Sequence, residues 1–428
     1  MARVYIETYG CTLNQADSDI MRALLKERHE LVETEEQSDV VILNTCTVKG
    51  ATENKILERI RRLEGGGRKL VIAGCMSANE KKLRRFAPRS PILGTSSLKW
   101  APSAVDDALA GKAAIHKVYE SKDGLPKLMT APLCRIPISE GCVSSCHFCQ
   151  TKLARPFLRS FSPKTVSRWI SGALNGGARE IQLASMDSGA YGIDLRTNLV
   201  SLMEAIAADD SHERPSWEFL VRLGMINPDH AKRMLPGILR ALAHPRFYKF
   251  LHAPVQTGSE KVCREMNRDH TVSDFTEIAA AMRSAMPDAT LATDIIVGYP
   301  TETEDDFKAT LRLLQNTKPE TVNLSKFSPR PGTKAREMKQ LPGSEIKRRS
   351  EEAAALIRSL GWERRKRFIG RTCRVLMTEK EKDFKGRDIN YNQVVVKGFR
   401  GTPGDFADVV VTDANHGSLF AEPVNAKR

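Results

Sequence analysis

The sequence predicts an α/β protein in three parts: an amino-terminal domain on an open parallel sheet, a central set of six βα units, and a small all-β barrel at the carboxyl end. Three observations carry this reading. Short runs rich in Val and Ile, each closed by small or polar residues, alternate with helical patterns over the first stretch of the chain. A longer series then repeats the alternation six times, through residue 327. From about residue 368 the helical patterns stop, and strand-like runs follow one another across Gly and Asp turns.

In the first domain, assigned to residues 1–118, the runs at 4–9, 39–43 and 69–73 read as buried strands, with helices over about 15–28 and 51–63. The strands lead into Gly10-Cys11, Asn44-Thr45-Cys46 and Gly74-Cys75. Open parallel sheets bind ligands beyond the carboxyl ends of their strands, so these three cysteines are expected to converge on one edge. Residues 118–132 are weakly patterned and read as a linker. In the central domain, residues 133–362, strands are expected at 133–139, 179–185, 217–224, 247–254, 289–297 and 320–327. Helices are expected at about 163–175, 197–208, 229–243, 272–286 and 303–316. Six such units fit a partial barrel as well as a doubly wound sheet. A charged helix over 343–367 leads into the last domain, residues 367–428.

Hydrophobic residues make up 41% of the 428, enough for real cores, and a net charge of +14 favours a polyanionic partner, nucleic acid above all. No apolar run approaches the roughly 18 residues of a membrane span, and the first residues lack a signal peptide's apolar stretch. A cytoplasmic protein with no membrane partner is expected, working as a monomer. Nine cysteines in such a chain point to metal or redox chemistry, not a disulfide framework.

The chemistry centres on Gly141-Cys142-Val143-Ser144-Ser145-Cys146-His147-Phe148-Cys149. Three thiolates within eight residues can wrap one [4Fe–4S] cluster and leave its fourth iron open to an external chelate. The amino and carboxylate groups of S-adenosylmethionine suit that position, and an electron from the cluster can then break a C–S bond to give a 5′-deoxyadenosyl radical. A zinc site would more often pair two CxxC units. His147 is a poor fourth ligand, because adjacent side chains on a tight loop rarely converge on one metal. Cys11, Cys46 and Cys75 are too widely spaced to speak alone, and a buried structural cysteine is the usual alternative. All three nonetheless fall at strand ends beside small residues, and again three ligands leave one iron open.

With these stretches the chain resembles the radical S-adenosylmethionine methylthiotransferase family. The matching stretches are residues 9–18, 44–48 and 73–76, then 189–192, 222–225, 252–259, 293–303 and 327–333 in the family's order, and the carboxyl end resembles the RNA-binding TRAM domain. The resemblance implies a partial (βα)6 radical SAM barrel and two [4Fe–4S] clusters, on Cys142, Cys146 and Cys149 and on Cys11, Cys46 and Cys75. It implies two S-adenosylmethionine molecules, one methylating a sulfur on the auxiliary cluster and one giving the radical that opens an unactivated C–H bond. It further implies that Phe148 flanks the adenine and that Asp187 meets the methionyl amino group. Arg222, Gln256 and Asp294, near later strand ends where a barrel builds its site, are further expected cofactor-binding residues. His252 reads equally as a buried histidine and a ligand contact. Cys134, Cys263 and Cys373 match no ligand and read as structural.

The stretch Thr151-Lys152-Leu153-Ala154-Arg155 is similar to the archaeal and eukaryotic tRNA branch of the family, although Pro156 stands where Gly is expected. The implied substrate is N6-threonylcarbamoyladenosine beside the anticodon, methylthiolated at C2, and the lack of a carboxyl-terminal membrane anchor favours an archaeal type. The implied partners are a tRNA anticodon stem–loop, an electron donor and a sulfur source, the last two unidentified. Lys152, Arg155, Arg159 and Arg330 are candidate donors to the threonylcarbamoyl group, with solvated surface charge or phosphate contact as alternatives. The basic run Arg364-Arg365-Lys366-Arg367 fits contact with an RNA backbone, or a solvated helix end. Other targets, isopentenyladenosine in tRNA or a ribosomal-protein aspartate, and a noncatalytic iron–sulfur RNA-binding protein are the competing readings.

Overall fold

The strand Val40–Thr45 is buried at every residue, which marks it as the centre of the first domain. In the computed structural model, which describes residues 1–48, 50–208 and 218–424, it lies in a six-stranded parallel sheet. The strand order is Glu30–Leu31, Arg3–Thr8, Val40–Thr45, Lys69–Gly74, Ile92–Leu93, Ile115–His116. Val4, Ile6, Val40, Ile42 and Val71 pack against helices Thr12–Leu25 and Ala101–Leu109; Val41, Leu43, Leu70 and Ile72 pack against helix Gly50–Gly65. Cover on both faces explains the unbroken apolar runs. The outer strands are two residues each, too short to carry a period.

The central strands are Leu133–Pro137, Glu180–Ala184, Leu220–Arg222, Phe250–His252, Thr290–Val297 and Thr321–Lys326, all parallel. The strand expected over 217–224 starts at a position outside the described residues. The first three strands pair as one sheet and the last three as another, joined by a parallel bridge from Val221 to Phe247. Strands neighbour one another in chain order, and among the described residues the first and last do not pair. That order is a partial barrel; a doubly wound sheet would reverse direction part-way. Ile136, Ile181, Leu183, Val221, Leu251 and Leu291 pack outward against the helices. By the alternation of strands, Arg135, Gln182, Arg222, His252 and Asp294 therefore face the lumen.

Helix Gly343–Lys366 runs along the last strand of this barrel and leads into a closed barrel of Thr372–Lys380, Phe384–Asp388, Gln393–Val396, Leu419–Pro423 and Phe406–Ala414. Its core is built from Val375, Met377, Val394, Val409, Val411 and Leu419. The turn after Asp388 reaches back into the central barrel, where Tyr391 packs with Tyr248 and Phe250, both ring pairs 4.7 Å apart. Leu220, Ala292 and Leu376 complete this floor. Among the described residues no helix is long and apolar enough to cross a membrane.

Candidate active site

Strands Arg3–Thr8, Val40–Thr45 and Lys69–Gly74 are adjacent in the first sheet, so Cys11, Cys46 and Cys75, which follow them, share one edge. Gly10, at φ +105°, lets the first loop close on the second: a Cβ there would stand 2.9 Å from the Cys46 sulfur. Asn14 ties all three loops together. Its amide donates to the carbonyls of Tyr9 (3.0 Å) and Thr45 (2.7 Å), and its Oδ1 accepts from Cys75 Sγ at 3.6 Å. Burial pushes the Cys75 thiol up to about 12 and raises Cys46 as well. Metal-free, these thiols keep their protons, and iron would displace them.

Cys142, Cys146 and Cys149 lie half-buried on a loop at the carboxyl end of the first barrel strand. Gly141, at φ +78°, begins the loop; any Cβ there would collide with the Phe157 carbonyl. His147 anchors the loop: its Nδ1 meets the Glu265 carbonyl at 2.8 Å. Phe148 packs with Val262, Met266, Tyr299 and Phe327. Burial, with Asp187 nearby, pushes Cys142 up to about 11. Each set offers three thiols. Among the described residues no three His, Cys, Asp or Glu side chains come close enough to hold a single metal ion. In donor chemistry each set of three thiols fits an iron–sulfur cluster.

Two residues that sequence reasoning missed stand behind the radical loop. Arg268 donates to Cys146 Sγ at 3.1 Å and to Asn227 Oδ1 at 2.6 Å. Asn227 in turn donates to Asp187 Oδ2 at 2.7 Å. Asp187 is fully buried, and its remaining contacts are the backbone amides of Gly189 and Asn227 and the His230 ring. Burial lowers the His230 pKa, but the Asp187 hydrogen bond and the charges of Asp187 and Asp229 together outweigh it and the net shift is upward. Asp187 thus holds the loop's support in place, with its acceptor positions occupied.

The lumen gathers the other expected residues. His252 Nε2 lies 2.9 Å from Asp294 Oδ1, which also accepts from Asn323 at 2.8 Å. Gln256 adopts φ +72° and its backbone N–H donates to the Asp294 carbonyl. Arg222 sits over the rings of Phe250 (5.0 Å) and Tyr391 (5.4 Å), so the carboxyl-terminal barrel contributes to its setting. The Nε atoms of Arg135 and Arg222 are buried without a hydrogen-bond partner.

The expected substrate donors fall elsewhere. Arg155 is buried against Asp17 and Glu140, and Arg330 against Glu53 and the Thr47 carbonyl, neither solvated nor free. Lys152 meets the Cys142 carbonyl, and Arg159 the Tyr119 carbonyl at 3.4 Å. The basic run is also largely spent within the chain: Arg364 pairs with Glu320 (2.6 Å), Arg365 donates to the carbonyls of Glu320 and His416, and Arg367 pairs with Asp288 (3.2 Å), leaving Lys366 exposed. Carboxylates and backbone carbonyls brought together by the fold capture these cations, which no local pattern signals.

Residues 3–93 match the family described as uncharacterized protein family UPF0004, residues 136–314 the radical SAM superfamily, and residues 366–424 the TRAM domain. The chain is 40% identical to the probable threonylcarbamoyladenosine tRNA methylthiotransferase of Archaeoglobus fulgidus, with 98% of each chain covered. It is 38% identical to that of Pyrococcus horikoshii, over 99% of each, and 32% identical to the Drosophila melanogaster enzyme over 100% of this chain and 78% of that one. In fold it is similar to the radical S-adenosylmethionine methyltransferase TsrM from Kitasatospora setae, at TM-score 0.58 and 13% identity, over 78% of this chain and 77% of that one. The chain belongs to the threonylcarbamoyladenosine tRNA methylthiotransferase family of radical S-adenosylmethionine enzymes.

Proposed function

We propose that the protein methylthiolates tRNA at C2 of N6-threonylcarbamoyladenosine beside the anticodon, using one S-adenosylmethionine as methyl donor and a second as radical source. The observation that carries this reading is the pair of three-cysteine sets at the ends of the strands of two domains, each set one ligand short of a closed cluster. When bound, two [4Fe–4S] clusters and S-adenosylmethionine supply the carbon radical, the methyl group and the sulfur.

The chain's own residues bind, orient and exclude water. Cys142, Cys146 and Cys149 hold the radical cluster; Cys11, Cys46 and Cys75 hold the auxiliary one. Arg268 stabilises negative charge on the Cys146 sulfur through its hydrogen bond. Asp187 keeps Asn227 and His230 in position behind that loop. Phe148, half-buried beside Cys149, flanks the adenine, and His252, Gln256 and Asp294 line the cofactor's place in the lumen. Arg135 and Arg222, with unpaired buried Nε atoms, fit a carboxylate such as that of the threonylcarbamoyl group. An isopentenyl chain would leave those donors unmatched, at about 1–3 kcal/mol each. The carboxyl-terminal barrel binds the anticodon stem–loop, and an electron donor and a sulfur source act from outside the chain.

The test is nucleoside mass spectrometry of tRNA from a strain lacking the gene. The methylthio derivative of threonylcarbamoyladenosine should vanish and return with the wild-type gene. Its persistence in the deletion would refute the reading.

A further inference from the structure

Between the two cysteine sets lies a buried square of charge. The Arg155 side chain is 1% exposed, that of Lys122 1%, Asp17 3% and Glu140 4%. Arg155 Nη2 is 2.5 Å from Asp17 Oδ2 and 3.0 Å from Asn14 Oδ1, and Nη1 is 3.1 Å from Glu140 Oε2. Lys122 closes the square at 2.9 Å from Asp17 and 2.6 Å from Glu140. Burying four charges gains little stability over apolar packing of the same volume. What it provides is fixed geometry and an unscreened field.

Both are aimed at the cysteine sets. The Asn14 Oδ1 that accepts from Arg155 also accepts from Cys75 Sγ, and the same Asn14 amide holds the loops that carry Cys11 and Cys46. On the other side, Glu140 immediately precedes Gly141 and the radical loop, and the chain just beyond Arg155 packs on that glycine through the Phe157 carbonyl. Thr95 adds a hydroxyl bond to the Ala154 carbonyl at 2.7 Å, tying the first domain to the segment that carries Arg155.

We infer that Arg155 is a positioning residue that couples the two cluster sites, fixing the Cys11–Cys46–Cys75 set against the radical loop and lending positive charge to the auxiliary cluster. This rests on the two-cluster reading given above. A cation beside a cluster favours its reduced, more negative form, so removing it lowers the cluster's reduction potential. Misplacing one site against the other lets the radical form without capturing sulfur.

Two full-length variants test this, Arg155→Met and the charge-balanced pair Arg155→Gln with Asp17→Asn, which leaves Lys122 opposite Glu140. After reconstitution, iron per chain, cluster potentials by redox-monitored electron paramagnetic resonance, 5′-deoxyadenosine and methylthiolated tRNA are measured together. The balanced variant should keep about eight irons per chain and lose at least tenfold in methylthio product per 5′-deoxyadenosine, and Arg155→Met, which removes the cation alone, should in addition lower the potential of the auxiliary cluster only. An unchanged product ratio and potential would overturn the proposal. So would a parallel fall in iron, 5′-deoxyadenosine and product, which marks a purely structural role. A wild-type chain that holds only four irons would instead refute the two-cluster reading, and the coupling with it.

Discussion

At the scale of single residues, the support behind the thiols is as informative as the thiols themselves. Arg268 reaches Cys146 Sγ across 122 positions of sequence. Arg268→Met should leave the Cys11–Cys46–Cys75 set untouched and slow 5′-deoxyadenosine formation at least tenfold, roughly the effect of losing one charge-assisted hydrogen bond of about 1.5–3 kcal/mol; single-turnover quench kinetics would measure it. That Cys142, Cys146 and Cys149 share one loop was legible from their spacing, and the convergence of Cys11, Cys46 and Cys75 on one sheet edge from their places after parallel strands. Arg268, Asn227 and Lys122 were not, since a charged or polar residue in a loop looks the same in sequence whether it meets water or a buried partner. Asp187 was expected to meet the methionyl amino group; its saturation by the backbone amides of Gly189 and Asn227, the Asn227 side chain and His230 depends on folds of the chain that spacing does not encode.

At the scale of elements, the carboxyl-terminal barrel does more than append a separate module. Its turn at Tyr391 takes φ +64° and seats a ring on Tyr248, Phe250 and Arg222. Tyr391→Ala should cost about 2–3 kcal/mol of docking, seen as earlier proteolytic release of the barrel in a urea series, whereas Tyr391→Phe should retain most of it. The neighbouring Asp388 is buried, and burial pushes its carboxyl up to about 6, only partly offset by hydrogen bonds from Asn392. Because the folded pKa lies above the unfolded one, raising pH ionises the unfolded chain first. Stability therefore falls between pH 4 and pH 6, by at most about 3 kcal/mol, and levels off above that. Thermal melts across this window should show the decline in wild type and a flatter profile in Asp388→Asn. The strands of this barrel were readable from their alternation. The docking of its turn was not, because Asp388 to Asn392 carries an ordinary turn composition.

At the scale of the whole molecule, three domains are tied by charge as much as by apolar surface. Lys122 and Lys127, in a segment that reads as a plain linker, pair with Asp17 and Asp19 of the first domain. Arg330 pins the far side of the barrel to Glu53. Arg364, Arg365 and Arg367 tie the long helix to Glu320, His416 and Asp288. Part of the net charge of +14 is thus consumed in assembly, and the two cysteine sets are held in one frame. The claim at the centre of this account is that those sets serve one reaction in sequence. Its most direct test is to express the Cys11→Ala, Cys46→Ala, Cys75→Ala variant in a strain lacking the gene and to analyse tRNA nucleosides by mass spectrometry, alongside 5′-deoxyadenosine formation by the purified protein. The account predicts unmodified threonylcarbamoyladenosine in the cell with 5′-deoxyadenosine still formed in vitro; restored methylthiolation by this variant would contradict it.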